Sequence, residues 1–288
     1  MLCRRRFTAA TLIGAAGLWR VPAASAGDMA RQLADIETRS GGRLGVAVHD
    51  TGNGRRWTHH ADARFPLNST FKAFACAALL ARVDAGAASL DTRVAIEPAA
   101  VVAHSPVTAP RAGTAMSLRD LCAAATAVSD NTAANLVLAA IGGPPGLTAF
   151  LRRIGDATTR LDRWEPDLNA ATPGDPRDTT TPDAAARSLE RLVLGDTLQA
   201  GSRRQLTAWL EGNTVAAPLL RASLPASWRI ADRSGAGGHG SRGIIAVAWP
   251  PDRAPVVIAI YLTDTPLPLA GRDAIIAEVG RALGAALA

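Results

Sequence analysis

Ser69 and Lys72 stand three positions apart at the start of an Ala-rich segment with helical spacing. Residues three apart on a helix share a face, so the hydroxyl and the amine should lie close together. A serine becomes a nucleophile when a base removes its proton, and an amine can do so once burial or nearby cations lower its pKa. Lys72 is the only Lys among 31 Lys and Arg residues, and Arg cannot be deprotonated. The pair indicates an activated serine, with chance in an Arg-rich chain as the alternative.

Three further groups follow in order along the chain. They are Ser129-Asp130-Asn131, Glu165 with Asn169, and Arg233-Ser234-Gly235. A lone Ser-x-x-Lys spacing is weak evidence, whereas four ordered motifs are not expected by chance. Together they resemble the S-x-x-K, S-D-N and K-T-G set of the class A serine β-lactamases. The resemblance covers essentially the whole mature chain, including residues 105–108 and 231–237.

The resemblance implies acyl transfer to Ser69 followed by hydrolysis. Ser69 would attack the strained lactam carbonyl, and the backbone amides of Ser69 and Ala236 would stabilise the oxyanion. Ser129 would pass a proton to the leaving nitrogen, with Lys72 beside it. The first proton would go to Lys72 or to Glu165, and the sequence leaves both open.

The resemblance also implies a deacylating water between Glu165 and Asn169, a carboxylate base and an amide four residues apart. Class A enzymes have a cis peptide at the place of Glu165 and Pro166, in a long active-site loop. Arg163 and Asp178 would pair to close that loop and fix Glu165.

The substrate carboxylate is expected at an anion site formed by Arg233, Ser234 and Arg242, next to Gly235. Most members of the family have Lys where this chain has Arg233, and Arg here resembles the carbenicillin-hydrolysing enzymes. A bidentate guanidinium should still bind a carboxylate. For Arg242 alone, a solvated cation on a strand is the alternative. Asn131 would bond both Lys72 and the acylamino group of the substrate.

Other positions refine the expected substrate range. His104 would lie at the pocket entrance, where many relatives have Tyr, and Asp130 would face away and hold its turn by hydrogen bonds. Asn68 and Gly237 stand where carbapenem-hydrolysing relatives have Cys, so we expect no carbapenem hydrolysis.

Two other functions share parts of this pattern. A penicillin-binding D,D-peptidase has the three motifs but ordinarily lacks the Glu165 and Asn169 pair. A β-lactam sensor domain is acylated and stays acylated, and such sensors are usually membrane anchored. Both alternatives predict slow deacylation.

The elements that must position these residues follow from periodicity. Helical spacing over 28–40 precedes strand-like segments at 43–50 and 55–60. The middle of the chain is helical, and loops such as 142–146 interrupt it. The predicted segments are helices at 69–83, 117–126, 130–141, 182–194 and 271–286, and strands at 228–236, 242–250 and 255–263. We expect an α+β fold, an antiparallel five-stranded sheet flanked by helices with an inserted all-helical domain. The sheet domain would take 27–60 and 213–288, the helical domain 61–212, and the active site would lie between them.

The first 26 residues predict an export signal. An Arg-Arg-Arg-Phe stretch precedes a mildly apolar run and ends at Ala24-Ser25-Ala26, which resembles a twin-arginine signal with a small-x-small cleavage site. The mature protein is therefore expected in the periplasm or secreted. There Cys76 and Cys122 would form a disulfide, with two buried free thiols as the alternative.

Composition narrows the partners. With 48% hydrophobic and 19% charged residues the chain is globular, and four Arg of its basic excess lie in the leader. We expect a monomer that binds a small β-lactam, with no nucleic acid, membrane partner, cofactor or metal. His59 and His60, as neighbours on a strand, should point to opposite faces and hold no metal. His49 and His239 have no ligand at metal spacing.

Overall fold

The computed structural model of the protein describes residues 26–287. The predicted signal peptide lies outside the described residues, apart from its last residue. The α-helices are numbered in chain order. They are α1 (Ala26–Ser40), α2 (Phe71–Asp84), α3 (Leu118–Ala127), α4 (Asn131–Ala140), α5 (Gly143–Arg153), α6 (Pro182–Val193), α7 (Ala200–Glu211) and α8 (Leu269–Leu287).

Strands at both ends of the described chain form the main sheet. The strands are β1 (Arg43–Asp50), β2 (Arg56–His59), β3 (Phe65–Pro66), β4 (Arg93–Ala95), β5 (Ala115–Ser117), β6 (Thr179–Thr180), β7 (Arg229–Ala236), β8 (Arg242–Trp249) and β9 (Val256–Thr263). Five of them make an antiparallel sheet in the order β2-β1-β9-β8-β7. The predicted α+β fold with a five-stranded sheet is therefore confirmed.

The sheet is buried on both faces. Alternate side chains of a strand point in opposite directions, and here each set packs into a different hydrophobic core. Val46 and Ile260 pair across β1 and β9 and pack in one core with Leu33 of α1. On the other face, Ala259 belongs to the core that α2 and α6 fill, together with Leu189. The sheet is thus a rigid support, and β7 is the edge strand that faces the helices around Ser69.

The loop predicted at 142–146 is shorter than expected. The helical pattern is interrupted between α4, which ends at Ala140, and α5, which begins at Gly143 and runs through both prolines. Proline is tolerated in the first turn of a helix, where its missing N–H has no partner to lose. Gly142 precedes the helix with a φ of 92°. Within residues 26–287 no single helix has the length and hydropathy to cross a bilayer, and one pair, α4 and α5, reaches them together across a 67° bend.

The predicted disulfide is also corrected. Cys76 in α2 and Cys122 in α3 are free thiols, both fully buried. The Cys76 thiol lies 3.9 Å from the carbonyl oxygen of Cys122. Burial and the hydrogen bond with Cys76 raise the pKa of the Cys122 thiol well above its ordinary value. The alternative of two buried free thiols is therefore the one observed, and buried Cys commonly packs as a small hydrophobic residue.

Candidate active site

Ser69 lies in a turn of 3-10 helix, Asn68–Thr70, that leads directly into α2. Its side chain is nearly buried, and its Oγ accepts a hydrogen bond from Ser129 Oγ at 3.0 Å. Strand β7 passes so close that a Cβ on Gly235 would be 2.6 Å from the amide nitrogen of Ser69. A glycine is therefore required at position 235, and the turn holds the hydroxyl against the strand.

Lys72 lies one turn further along α2 and is completely buried. Its Nζ is 3.1 Å from Ser129 Oγ, 2.6 Å from Asn131 Oδ1 and 3.0 Å from Glu165 Oε1. Burial lowers the pKa of Lys72 to about 8, with Arg233 lowering it further and Glu165 opposing the shift. The amine can therefore change its protonation near neutral pH, as an Arg at this position could not.

Ser129 and Asp130 form the turn between α3 and α4. Ser129 has a φ of 63°, a left-handed conformation that is costly for a residue with a side chain. Asp130 is fully buried and accepts the amides of Val107, Thr108 and Ala133. The prediction that Asp130 faces away and holds the turn is confirmed, and these bonds fix Ser129 toward Ser69.

Glu165 reaches the same cluster from a loop. The Glu165–Pro166 bond is cis, as predicted. Asn135 of α4 holds the backbone of Glu165 at both polar groups, with its side-chain amide bonding the N–H and the carbonyl at 3.0 Å each. Asn169 donates from Nδ2 to Glu165 Oε2, and its own Oδ1 is buried without a hydrogen-bond partner among the described residues. The loop thus presents a carboxylate and a free amide oxygen side by side.

The loop is closed at its base by the predicted ion pair. Arg163 Nε contacts Asp178 Oδ2 at 2.5 Å, and Asp178 is almost completely buried. The other carboxylate oxygen of Asp178 accepts the amides of Asp162 and Arg163. This prediction is confirmed, and the ion pair ties both ends of the segment that carries Glu165.

The far wall of the site is formed by β7 and β8, each of which contributes one cation. Arg233 is buried and donates to the carbonyl oxygens of Ser69 at 3.1 Å and Thr126 at 2.9 Å. Burial lowers the pKa of Arg233 from its ordinary value, yet the guanidinium stays charged at neutral pH. Arg242 on β8 donates from Nε to Asp273 Oδ1 at 2.6 Å and from Nη1 to the Gly235 carbonyl oxygen at 3.2 Å. Arg242 is therefore held in place rather than solvated.

A cleft of about 370 Å³ joins these parts. Ten of the predicted site residues line it, and Lys72 and Glu165 lie in contact behind Ser129. The lining residues are Ser69, His104, Ser129, Asn131, Asn169, Arg233, Ser234, Gly235, Ala236 and Arg242, together with Val215 and Leu269. The last two were missed, because apolar side chains carry no chemical signal in a sequence.

Comparison with known proteins agrees with this geometry. The model of the Beta-lactamase enzyme family matches residues 28–287. An ancestral class A β-lactamase reconstructed for Gram-negative bacteria superposes with a TM-score of 0.87 at 56% identity, over 88% of this chain and 98% of that one. The chain belongs to the class A β-lactamases.

Several natural relatives have similar sequences. Beta-lactamase AER-1 of Aeromonas hydrophila is 50% identical over 83% of this chain and 79% of its own length. Beta-lactamase AST-1 of Nocardia asteroides is 50% identical over 89% and 83%, and CARB-3 of Pseudomonas aeruginosa 48% over 86% of each. The chain is therefore a serine β-lactamase by family.

Proposed function

We propose that this class A β-lactamase hydrolyses penicillins, including carboxypenicillins, through an acyl-enzyme on Ser69, and so confers β-lactam resistance. The observation that supports it best is a continuous line of contacts. Ser69 Oγ, Ser129 Oγ, Lys72 Nζ and Glu165 Oε1 follow one another at 3.0, 3.1 and 3.0 Å. A proton can move along such a line without long-range rearrangement.

Acylation forms a bond between Ser69 Oγ and the lactam carbonyl carbon. The hydroxyl proton passes to the Lys72 and Glu165 pair, which the ion-pair contact couples. The amides of Ser69 and Ala236 stabilise the oxyanion. When the C–N bond breaks, Ser129 donates its proton to the nitrogen and recovers one from Lys72, whose lowered pKa favours that transfer.

Deacylation uses the other side of the cleft. Glu165 accepts a proton from a water that attacks the ester, and Asn169 orients that water. The free, buried Oδ1 of Asn169 beside Glu165 supports this role, since a buried acceptor needs a donor. Ser69 leaves with its proton restored, and the product is the ring-opened acid.

Arg233, Ser234 and Arg242 bind the substrate carboxylate, and Asn131 binds the acylamino group. Buried guanidinium groups at the wall of the cleft support an anion site. His104 lies at the entrance of the cleft, exposed, with its Nε2 3.3 Å from the Val128 carbonyl. The protein needs no cofactor in this reaction.

The proposed setting is a monomer that is exported to the periplasm or secreted by a twin-arginine-like signal. Its sheet domain, 27–60 and 213–288, and its helical domain, 61–212, hold the cleft between them. The position of Ser69 in the turn before α2 and of Ser234 on β7 supports that placement. No nucleic acid or membrane partner takes part.

Steady turnover of benzylpenicillin by the purified mature protein tests the proposal. We expect continuous hydrolysis, and none by the Ser69→Ala variant. A single stoichiometric burst with no further turnover would identify a D,D-peptidase or a sensor instead. The same assay with a carboxypenicillin, a cephalosporin and a carbapenem defines the substrate range, and hydrolysis of the carboxypenicillin but not the carbapenem is expected.

A further inference from the structure

Glu37, His59 and His60 converge on the side of the molecule where α1 meets β2. Glu37 lies in the last turns of α1, His59 ends β2, and His60 is the next residue. The expectation that the two imidazoles point to opposite faces is wrong. His60 has left the strand with a φ of 43°, so its ring turns back beside that of His59, with centroids 4.3 Å apart.

The three donor atoms are close to the spacing of metal ligands. Nε2 of His59 is 2.8 Å from Glu37 Oε2, and Nε2 of His60 is 3.2 Å from the same oxygen. One ligand atom from each of the three residues lies within 4.8 Å of the others. Two ligands bound at 2.0–2.1 Å to a tetrahedral zinc ion are about 3.3 Å apart, so small side-chain rotations suffice.

The surroundings favour a fixed but accessible site. The second oxygen of Glu37, Oε1, accepts the amide of Leu44 at 2.9 Å, which orients the carboxylate as an outer-shell bond does in metal sites. The side chains of Glu37 and His59 are 21% and 14% exposed, whereas that of His60 is 54% exposed. An ion can therefore enter past His60.

We propose that Glu37, His59 and His60 form a binding site for a zinc ion, with water completing the coordination. Two imidazoles and one carboxylate are donors that zinc accepts well. The ion would tie the end of α1 to the end of β2, apart from the β-lactam cleft. The other explanation of the same contacts is an ion pair between Glu37 and a protonated imidazole.

A matched pair elsewhere in the chain separates the two explanations. His49 Nδ1 lies 2.8 Å from Glu190 Oε2, and its side chain is 15% exposed, close to the 14% of His59. Among the described residues, however, this pair has no third potential metal ligand beside it. The experiment is calorimetric titration of ZnSO₄ into the mature, untagged enzyme. NMR of the imidazole signals of its five His follows the same titration.

We expect one equivalent of zinc to bind and to shift the ring signals of His59 and His60, leaving the other imidazoles unchanged. His60→Asn, at an exposed position that tolerates substitution, should weaken binding at least about tenfold, as should Glu37→Gln. His49→Asn should bind as the wild type does, and all three variants should keep wild-type penicillin turnover.

Three results would overturn the proposal. They are absence of saturable zinc binding by the wild type, equal affinity in His60→Asn, and zinc shifts on His49, His104 or His239 in place of the pair. Because none of these readouts depends on penicillin turnover, failure of the zinc site leaves the proposed hydrolysis unaffected.

Discussion

Lys72 and Arg233 are both buried cations beside the same serine, and their surroundings differ. Lys72 contacts a carboxylate and three neutral oxygens of Ser129 and Asn131, and its pKa is lowered to about 8. Arg233 donates mainly to the carbonyl oxygens of Ser69 and Thr126 and stays charged. The difference fits the proposed roles, in which Lys72 releases a proton and Arg233 holds an anion. With those roles, an Arg-rich chain can have Arg at the second position but keeps Lys at the first.

The largest effect is expected when Lys72 is replaced by Arg, so that both buried cations are Arg. Lys72→Arg keeps the charge but cannot give up the proton, so the acylation rate constant should fall by about 10³–10⁴-fold. Stopped-flow measurement of penicillin acylation checks this. Activity near that of the wild type would show that a fixed cation is enough at this position.

Removing the carboxylate beside Lys72 should stop the second half of the reaction. Glu165→Ala is expected to slow deacylation by about 10³-fold, because no base then activates the water. Mass spectrometry of the variant mixed with benzylpenicillin should show an adduct on Ser69. The double variant with Ser69→Ala is the control, and absence of any trapped adduct on the single variant contradicts the role given to Glu165.

The lowered pKa of Lys72 predicts a pH-dependent stability. Between the folded pKa of about 8 and the ordinary pKa of 10.5, the unfolded state binds more protons, so the free energy of unfolding should rise with pH. The gain relative to Lys72→Met should approach about 3 kcal/mol, or roughly 300-fold in the unfolding equilibrium. Urea unfolding at several pH values measures it. Against Arg233→Met the same comparison should be flat between pH 7 and about 9, because the pKa of Arg233 is lowered only to about 10. Equal slopes in that range would remove the distinction between the two cations.

The smallest effect is expected for Arg233→Lys. Only an anion must be held there, so kcat/KM for a penicillin should stay within about tenfold of the wild type. Steady-state kinetics test this, with Arg233→Met as the neutral control that raises KM. A loss as large as that of Lys72→Arg would mean that the bonds from Arg233 to the backbone near Ser69 are themselves essential.

Much of the catalytic cluster could be predicted because its chemistry depends on spacing within single elements. The three-residue step from Ser69 to Lys72 crosses one helical turn, and Glu165 and Asn169 lie on one short loop. Polar residues with a reactive group are visible in a sequence. Asn135, which holds Glu165, was missed because it acts through the tertiary fold alone.

The predictions that failed depended on tertiary packing or on the backbone conformation of a single residue, and the sequence pattern shows neither. The helix that begins at Gly143 contains residues that locally favour a loop, and packing of α4 and α5 overrides that preference. The alternation argument for His60 failed because one positive φ ends the strand. Cysteine count and compartment permit a disulfide between Cys76 and Cys122 but do not determine the bond.

The strand order has a consequence for how the molecule is made. β9, at the centre of the main sheet, is its last strand to be synthesised, and it pairs with β1 from about 200 residues earlier. Until β9 emerges, the β1–β2 hairpin has an unpaired edge that can join another chain. Folding of the cleft must therefore wait for nearly complete synthesis. A chain that stops after β8 would be an aggregation hazard rather than a partly active enzyme.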